Sequence, residues 1–420
     1  MTNKGFKYSD DGTWLLSALK KGKEAETYVV LEGTEYINEY AFENCEKLTE
    51  IVLPESLLGI QAFAFSGCVN LKKINQGDNI QNLPINIGIG QRCFEGCFDQ
   101  ETIEIPGSRK TITFRSFAHC KMKEVKVGEG ITKIGDGAFQ WCENLTKIEL
   151  PDSVTEIEEY AFDSCGLTEI KLPKGITKIA DGLFRGCENL TKIELPDSIT
   201  EIGSEAFRCT GLTEFKWPDC ITIIRMSIFE DCENLTKIEL PDSITEIEDS
   251  AFANCGFTEI KLPKGITKIA AGLFEGCKNL TKIDREGVTD IERRAFKGCT
   301  SLTEIELPQG MTKIEESLFE DCVNLTKIEI PESVTEIEGW AFKGCTSLTE
   351  IKLPKSLKKI KNRAFADCTG LTSVTIPNSM TSIGPCAFMN CTSLKKIVIP
   401  ESTEVMESSF RNCDVQIERV

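Results

Sequence analysis

Histidine is almost missing from this chain: of 420 residues, His119 alone carries an imidazole. That scarcity argues against histidine-based acid–base chemistry and against zinc enzymes, while carboxylate chemistry stays open. No run of about 18 apolar residues occurs, so no membrane-spanning helix is expected. The N-terminal stretch Met1 to Asp11 is polar and lacks the apolar core of a secretion signal. Such a chain either stays inside the cell or has lost a leader ahead of this numbering. A basic surplus is absent too: 48 Lys and Arg face 66 Asp and Glu, giving a net charge of −18 and a pI near 4.8. A surface of that sign repels phosphate, which makes nucleic acid and anionic membranes poor partners. With only 15 prolines and 40% hydrophobic residues, the composition is not that of a disordered chain.

What is present is repetition, which has to be read before anything else. Phe recurs at 42, 65, 94, 117, 139, 162, 184, 207, 229, 252, 274, 296, 319, 342, 365, 388 and 410. The steps are 22 or 23 residues, with a single step of 29 between Phe65 and Phe94. One unit runs from Leu145 through Ile148, Leu150, Pro151, Val154, Ile157 and Ala161 to Phe162, and then to Cys165. Leu145, Ile148 and Leu150 give a short strand with one inward face. Pro151 and Asp152–Ser153 supply turn chemistry, and Val154 and Ile157 a second short extended segment. From Ala161 and Phe162 a helical turn is expected, its Phe pointing inward. One coil of this size cannot bury that apolar set; stacked coils can, each covering its neighbour.

The pattern C-x-x-L-T-x-I-x-L-P-x-S-[IV]-T-x-I-x-x-x-A-F resembles the BspA-like leucine-rich repeats of bacterial and protist surface proteins, over residues 34–413. The resemblance implies a repeat solenoid, α/β leaning to β. It would be a right-handed leucine-rich-repeat superhelix of about 17 coils with parallel strand ladders and short helical turns. Residues 1–33 are expected to cap it as a β-hairpin, 34–413 to form the solenoid with an irregular coil and insertion at 75–100, and 414–420 to add an end strand. The resemblance also implies a surface protein, often an adhesin for host or neighbouring-cell proteins. The expected chain is non-catalytic, a monomer without cofactor, and its ligand a host, neighbouring-cell or matrix protein. An intracellular scaffold is the alternative.

Twenty cysteines invite a disulfide or metal reading, but seventeen follow the repeat Phe, nearly all at the third residue, and no paired C-x-x-C knots occur. The spacing predicts a column of buried, reduced thiols acting as small apolar residues.

Charge alternates along equivalent strand positions. The column Glu124, Lys147, Glu169, Lys192, Glu214, Lys237, Glu259, Lys282, Glu304, Lys327, Glu350 changes sign at every step. If neighbouring coils stack in register, opposite charges become lateral neighbours and a one-coil slip is disfavoured. Function is then expected where the ladder breaks. Asp284, Glu306 and Glu329 put three acids on one column, a site for a cation or a basic partner. Ile223, Arg225 and Met226, near Trp217 and Cys220, make an apolar island. The irregular stretch 75–126 holds a basic cluster of Arg109, Lys110, Arg115, Lys121 and Lys123 with His119. Trp141 and Trp340 are expected on outward turns.

Overall fold

The computed structural model describes residues 2–74, 88–97, 102–105, 107 and 110–420. The bulk of the insertion and Arg109 lie outside the described residues. The chain divides into two compact units, Met1–Leu212 and Thr213–Val420. Both are β-solenoids, with about 17 turns in all.

Each turn uses its sequence in the same order. In the first unit, Thr102–Ile105, Glu124–Val127 and Lys147–Glu149 make a parallel sheet, and Thr111–Ile112, Lys133–Ile134 and Glu156–Ile157 make a second. Ile148 and Ile157 point inward and are buried, while the flanking Lys and Glu face water. In the second unit the longest ladder joins Lys313–Ile314, Glu336–Ile337, Lys359–Ile360, Ser382–Ile383 and Glu404–Val405. At the N-terminus Phe6–Tyr8 pairs antiparallel with Trp14–Ala18, which then runs parallel to Tyr36–Ile37. At the other end Gln416–Arg419 adds a strand beside Lys396–Ile399.

The polar letters of the repeat are hydroxyl staples. Thr281 and Thr326 Oγ1 donate to the carbonyls of Thr258 and Thr303 one coil back, at 3.0 and 3.1 Å. Ser198 and Ser243 Oγ donate likewise to Ile176 and Ile221, at 2.6 and 2.9 Å. Where a coil is one residue shorter, Gly166 and Gly256 pass so close to the Glu143 and Glu233 carbonyls that an added Cβ would collide.

The Phe segment is not helical. The single described α-helix is Lys20–Lys23, and the expected helical turns are replaced by a ladder of tight turns. Tyr160 and Ser164, two residues before and after Phe162, have φ of +53° and +55°. The same two positions are left-handed at Ser250 and Asn254 and at Ser317 and Asp321. A helix cannot continue through such residues. Instead the N–H groups alternate in direction. Those of Tyr160, Phe162 and Ser164 reach the next coil at Asp181, Leu183 and Arg185, at 3.0, 3.2 and 2.6 Å. Those of Asp163 and Cys165 close turns onto Tyr160 and Phe162, at 3.0 and 3.3 Å. Each non-glycine left-handed residue costs about 1–2 kcal/mol, and the inter-coil bonds it permits, about 1 kcal/mol each, offset that.

Inside these turns the phenylalanines stack. Ring centroids of Phe139, Phe162 and Phe184 are 5.8 and 5.9 Å apart, and those of Phe342, Phe365 and Phe388 are 5.1 and 5.3 Å apart. The 29-residue step leaves Phe65 and Phe94 stacked at 5.5 Å. The cysteines are free and mostly buried, and they do more than fill space. Cys142, Cys165, Cys299 and Cys322 Sγ each donate to the Phe carbonyl one coil back, at 3.0–3.1 Å.

Candidate recognition surface

The strand ladders hold the charge columns in register. Glu124 lies beside Lys147, Lys133 beside Glu156, Glu214 beside Lys237, and Glu336 between Lys313 and Lys359. Ion pairs form both across coils, as Lys178–Glu201 at 3.2 Å, and along a strand, as Lys192–Glu194 at 2.9 Å. Lys359 and Lys361 together hold the Glu336 carboxyl below its usual range. Exposed pairs of this kind contribute about 0–1 kcal/mol each, so they select register more than they add stability.

Burial pushes the thiols of Cys187, Cys277, Cys322 and Cys368 up to about 12, which keeps them protonated and unreactive. Among the described residues no group of His, Cys, Asp and Glu is placed to hold a metal ion, and no helix is long and apolar enough to cross a membrane.

The sequence candidates separate in space. Of the basic cluster, Arg115 and His119 come together on the turn edge, and both meet Trp141. The His119 and Trp141 rings are 4.5 Å apart, and the Arg115 guanidinium lies 5.5 Å from the Trp141 ring centre. Lys110 stands instead at the start of the second strand ladder, and Lys121 and Lys123 are exposed ahead of Glu124–Val127 in the first. The apolar island is mixed. Met226 is 46% exposed and Ile223 half-buried, while Arg225 is tied to Glu248 at 3.0 Å. Trp217 belongs to the core, edge-on to Phe215 and Phe229 at 4.9 and 5.8 Å. Of the two outward tryptophans, Trp141 is exposed and Trp340 half-buried. Asp284, Glu306 and Glu329 line one cleft of about 950 Å³.

Two features escaped the sequence reading. The first is a column built from the left-handed residues two before each Phe, together with their neighbours. Tyr40 stacks on Phe63 at 4.9 Å, Arg92 lies 5.5 Å from Phe63 and 5.4 Å from Phe114, and Arg115 lies 5.4 Å from Phe114. With Trp141 and His119 this makes an alternating arginine–aromatic zipper along one edge of the first unit. Tyr40 and Trp141 are 45% and 36% exposed, and the Nε atoms of Arg92 and Arg115 have no hydrogen-bond partner. The second lies at the residue after each Phe. Asp163, buried, takes a bond from Gln140 at 2.7 Å and two from Arg185 at 3.1 and 3.0 Å, and Arg185 also covers the Tyr160 ring at 4.7 Å. In the second unit the same column reads Glu275, Lys297, Glu320, Lys343, with pairs at 3.5, 3.7 and 2.8 Å. Writing out columns at these positions, as for the strands, reveals both.

Parallel two-ladder coils stapled around a Phe and Cys spine define a leucine-rich repeat solenoid. More narrowly, the chain belongs to the BspA-type leucine-rich repeat family, whose model matches residues 18–132, 87–208, 155–281, 200–326 and 312–419. It is similar to a leucine-rich repeat protein of Bacteroides ovatus, at 26% identity and a TM-score of 0.55, covering 100% of this chain and 99% of that one. It is also similar to a leucine-rich cell surface protein of Faecalibacterium prausnitzii, at 25% identity and a TM-score of 0.49, covering 89% and 93%. No curated protein matches it. Leucine-rich repeat proteins generally bind proteins.

Proposed function

We propose that this chain is a non-catalytic protein-recognition module displayed at a cell surface, and that it engages a protein partner through the zipper edge of its first unit. The observation that carries this is the run Tyr40, Phe63, Arg92, Phe114, Arg115, Trp141 and His119. Arg, Tyr and Trp are the side chains that dominate binding energy at protein interfaces. Their mutual stacking fixes their rotamers before a partner arrives, which lowers the entropy lost on binding. The edge is aromatic and arginine-bearing, with Arg92 also 3.9 Å from Glu95, so it favours a partner that offers apolar groups and hydrogen-bond acceptors in alternation. Display on the outside rests on family membership.

The test is binding of the purified chain to an immobilised panel of extracellular-matrix and cell-surface proteins, with the triple variant R92E/R115E/W141A beside it. A loss of at least tenfold in affinity, with unchanged circular dichroism, is expected. Equal binding by the variant would remove the zipper edge from the proposal. The twenty unoxidised cysteines favour a second reading, an intracellular scaffold using the same edge. Fractionation of native cells decides between them, since recovery in the cytosol alone sinks the surface reading.

A further inference from the structure

The second unit carries an opening on its strand side. Its first ladder is not continuous. Glu259–Lys261 pairs with Lys282–Asp284, and Glu304–Glu306 pairs with Lys327–Glu329. Lys282–Asp284 and Glu304–Glu306 belong to separate sheets and exchange no backbone hydrogen bonds. The joint between them opens into a surface groove of about 950 Å³ that also runs over the paired strand Lys327–Glu329. Ile283 and Ile305, which face each other across it, are only half-buried, whereas the paired Ile260 and Ile328 are 3% and 7% exposed. The Arg285 guanidinium reaches over the cleft and donates to the Glu306 carbonyl, occupying an acceptor that a strand partner would otherwise use.

The charges around the joint are also unbalanced. Glu306 and Glu329 are the one like-charged pair in register among the described strands. Asp284, Glu306 and Glu329 are exposed and none is within ion-pair distance of a described lysine or arginine, although Lys261 lies beside Asp284 in register and the Arg285 guanidinium lies against the Glu306 backbone, which leaves Glu329 the least compensated. Like charges side by side in a ladder are unfavourable unless a cation lies beside them.

We propose that this cleft binds a basic peptide segment of a partner protein as an added β-strand between Lys282–Asp284 and Glu304–Glu306. Strand addition satisfies the open backbone edges, and alternate side chains then give specificity. An inserted residue level with Ile283 and Ile305 points inward and is apolar. Its neighbour on one side lies between Asp284 and Glu306 and is lysine or arginine. Its neighbour on the other side lies between Lys282 and Glu304, already balanced, and is neutral and polar. The recognised triplet is therefore polar, apolar, basic, with Thr-Val-Lys as the simplest instance.

The probe is a fluorescein-labelled peptide Gly-Thr-Val-Lys-Val-Gly, titrated with the full chain at low salt and followed by anisotropy. The double variant E306K/E329K alters only exposed side chains and should weaken binding at least tenfold. Methylating the peptide amides at Thr, Val and Lys keeps the charge but removes the donors, and should weaken binding to a similar degree. The variant E239K, in another coil of the same unit, should bind as the parent does, and bound peptide should slow hydrogen exchange at the Ile305 and Glu306 amides. Equal affinity for the methylated peptide would mean simple attraction between a polyanion and a cation, and would overturn strand addition. Unchanged binding by E306K/E329K, or no binding by the parent at about 1 mM peptide, would overturn the site.

Discussion

Along the second unit the ring-to-ring distance in the phenylalanine column stays between 5.1 and 6.3 Å from Phe229 to Phe410. The strand ladder beside it breaks three times, between Ile238 and Glu259, between Asp284 and Glu304 and between Glu329 and Glu350, and the other ladder breaks between Ile247 and Lys268 and between Ile291 and Lys313. The same coils are thus joined without interruption on one edge and only intermittently on the other. The spine combines fully buried rings, thiol donors and backbone bonds from alternate residues. The strands contribute two or three residues each and a surface layer of exposed ion pairs. Coil spacing is therefore set on the turn side, and the strand side is free to open, as it does beside Arg285, which stands in place of the usual leucine.

The largest effect that separates the two edges is a deletion in the spine. Phe274, fully buried between Phe252 and Phe296, should lose about 3–5 kcal/mol on replacement by alanine. Ile305→Ala, at the open joint, should cost clearly less because Ile305 is already half in water. Denaturant melts of both variants measure this. Equal losses would mean that the strand edge carries as much of the stacking as the spine.

pH should act on the two edges at opposite ends of the scale. The spine thiols, held protonated to about 12 by burial, ionise near 8.5 once unfolded. Their native pKa is raised, so their contribution is complete below about pH 8.5 and is lost as pH climbs toward 12. The strand-edge carboxylates of Glu149, Glu194 and Glu336 are held low, chiefly by hydrogen bonds from Lys147, Lys192 and Lys359. Their contribution is present above the ordinary carboxylate pKa and is lost as pH falls through the native value. The denaturant midpoint should therefore decline steadily from pH 9 upward. In C277A/C322A, which lacks two of those thiols, the alkaline slope should be shallower. An alkaline slope unchanged in that variant would show that the thiols do not report on folding.

How far the sequence carries a reader follows the same division. The register, the inward Phe and the buried Cys were legible because each repeats at the coil period, and Glu124 beside Lys147 is that period made visible. The turn conformation was not legible. Tyr160, Trp141 and Arg115 stand at positive φ, where glycine or asparagine would have signalled it, and only the neighbouring coil makes the conformation affordable. The open joint at Asp284 was seen as a run of acids but not as a gap, because Lys-Ile-Asp and Glu-Ile-Glu both read as ordinary strands. The arginine–aromatic zipper went unseen because its members are scattered about 22 residues apart among dissimilar neighbours. Two of its parts, Trp141 and the Arg115–His119 pair, were noticed separately, and stacking alone unites them.

The smallest effect probes whether the charge ladder does more than fix register. Glu336 lies between Lys313 and Lys359 in the ladder and bonds both Lys359 and Lys361, at 3.0 and 3.1 Å. Reversing it in E336K sets four lysines against one another, yet the site is open to water, so the loss should stay within about 1 kcal/mol. It should shrink further as salt is raised. Adding K359E to E336K restores one opposite pair and should recover part of the loss. If E336K instead cost as much as a spine deletion, and salt did not relieve it, the ladder would be holding the coils together and the division of labour between the two edges would fail.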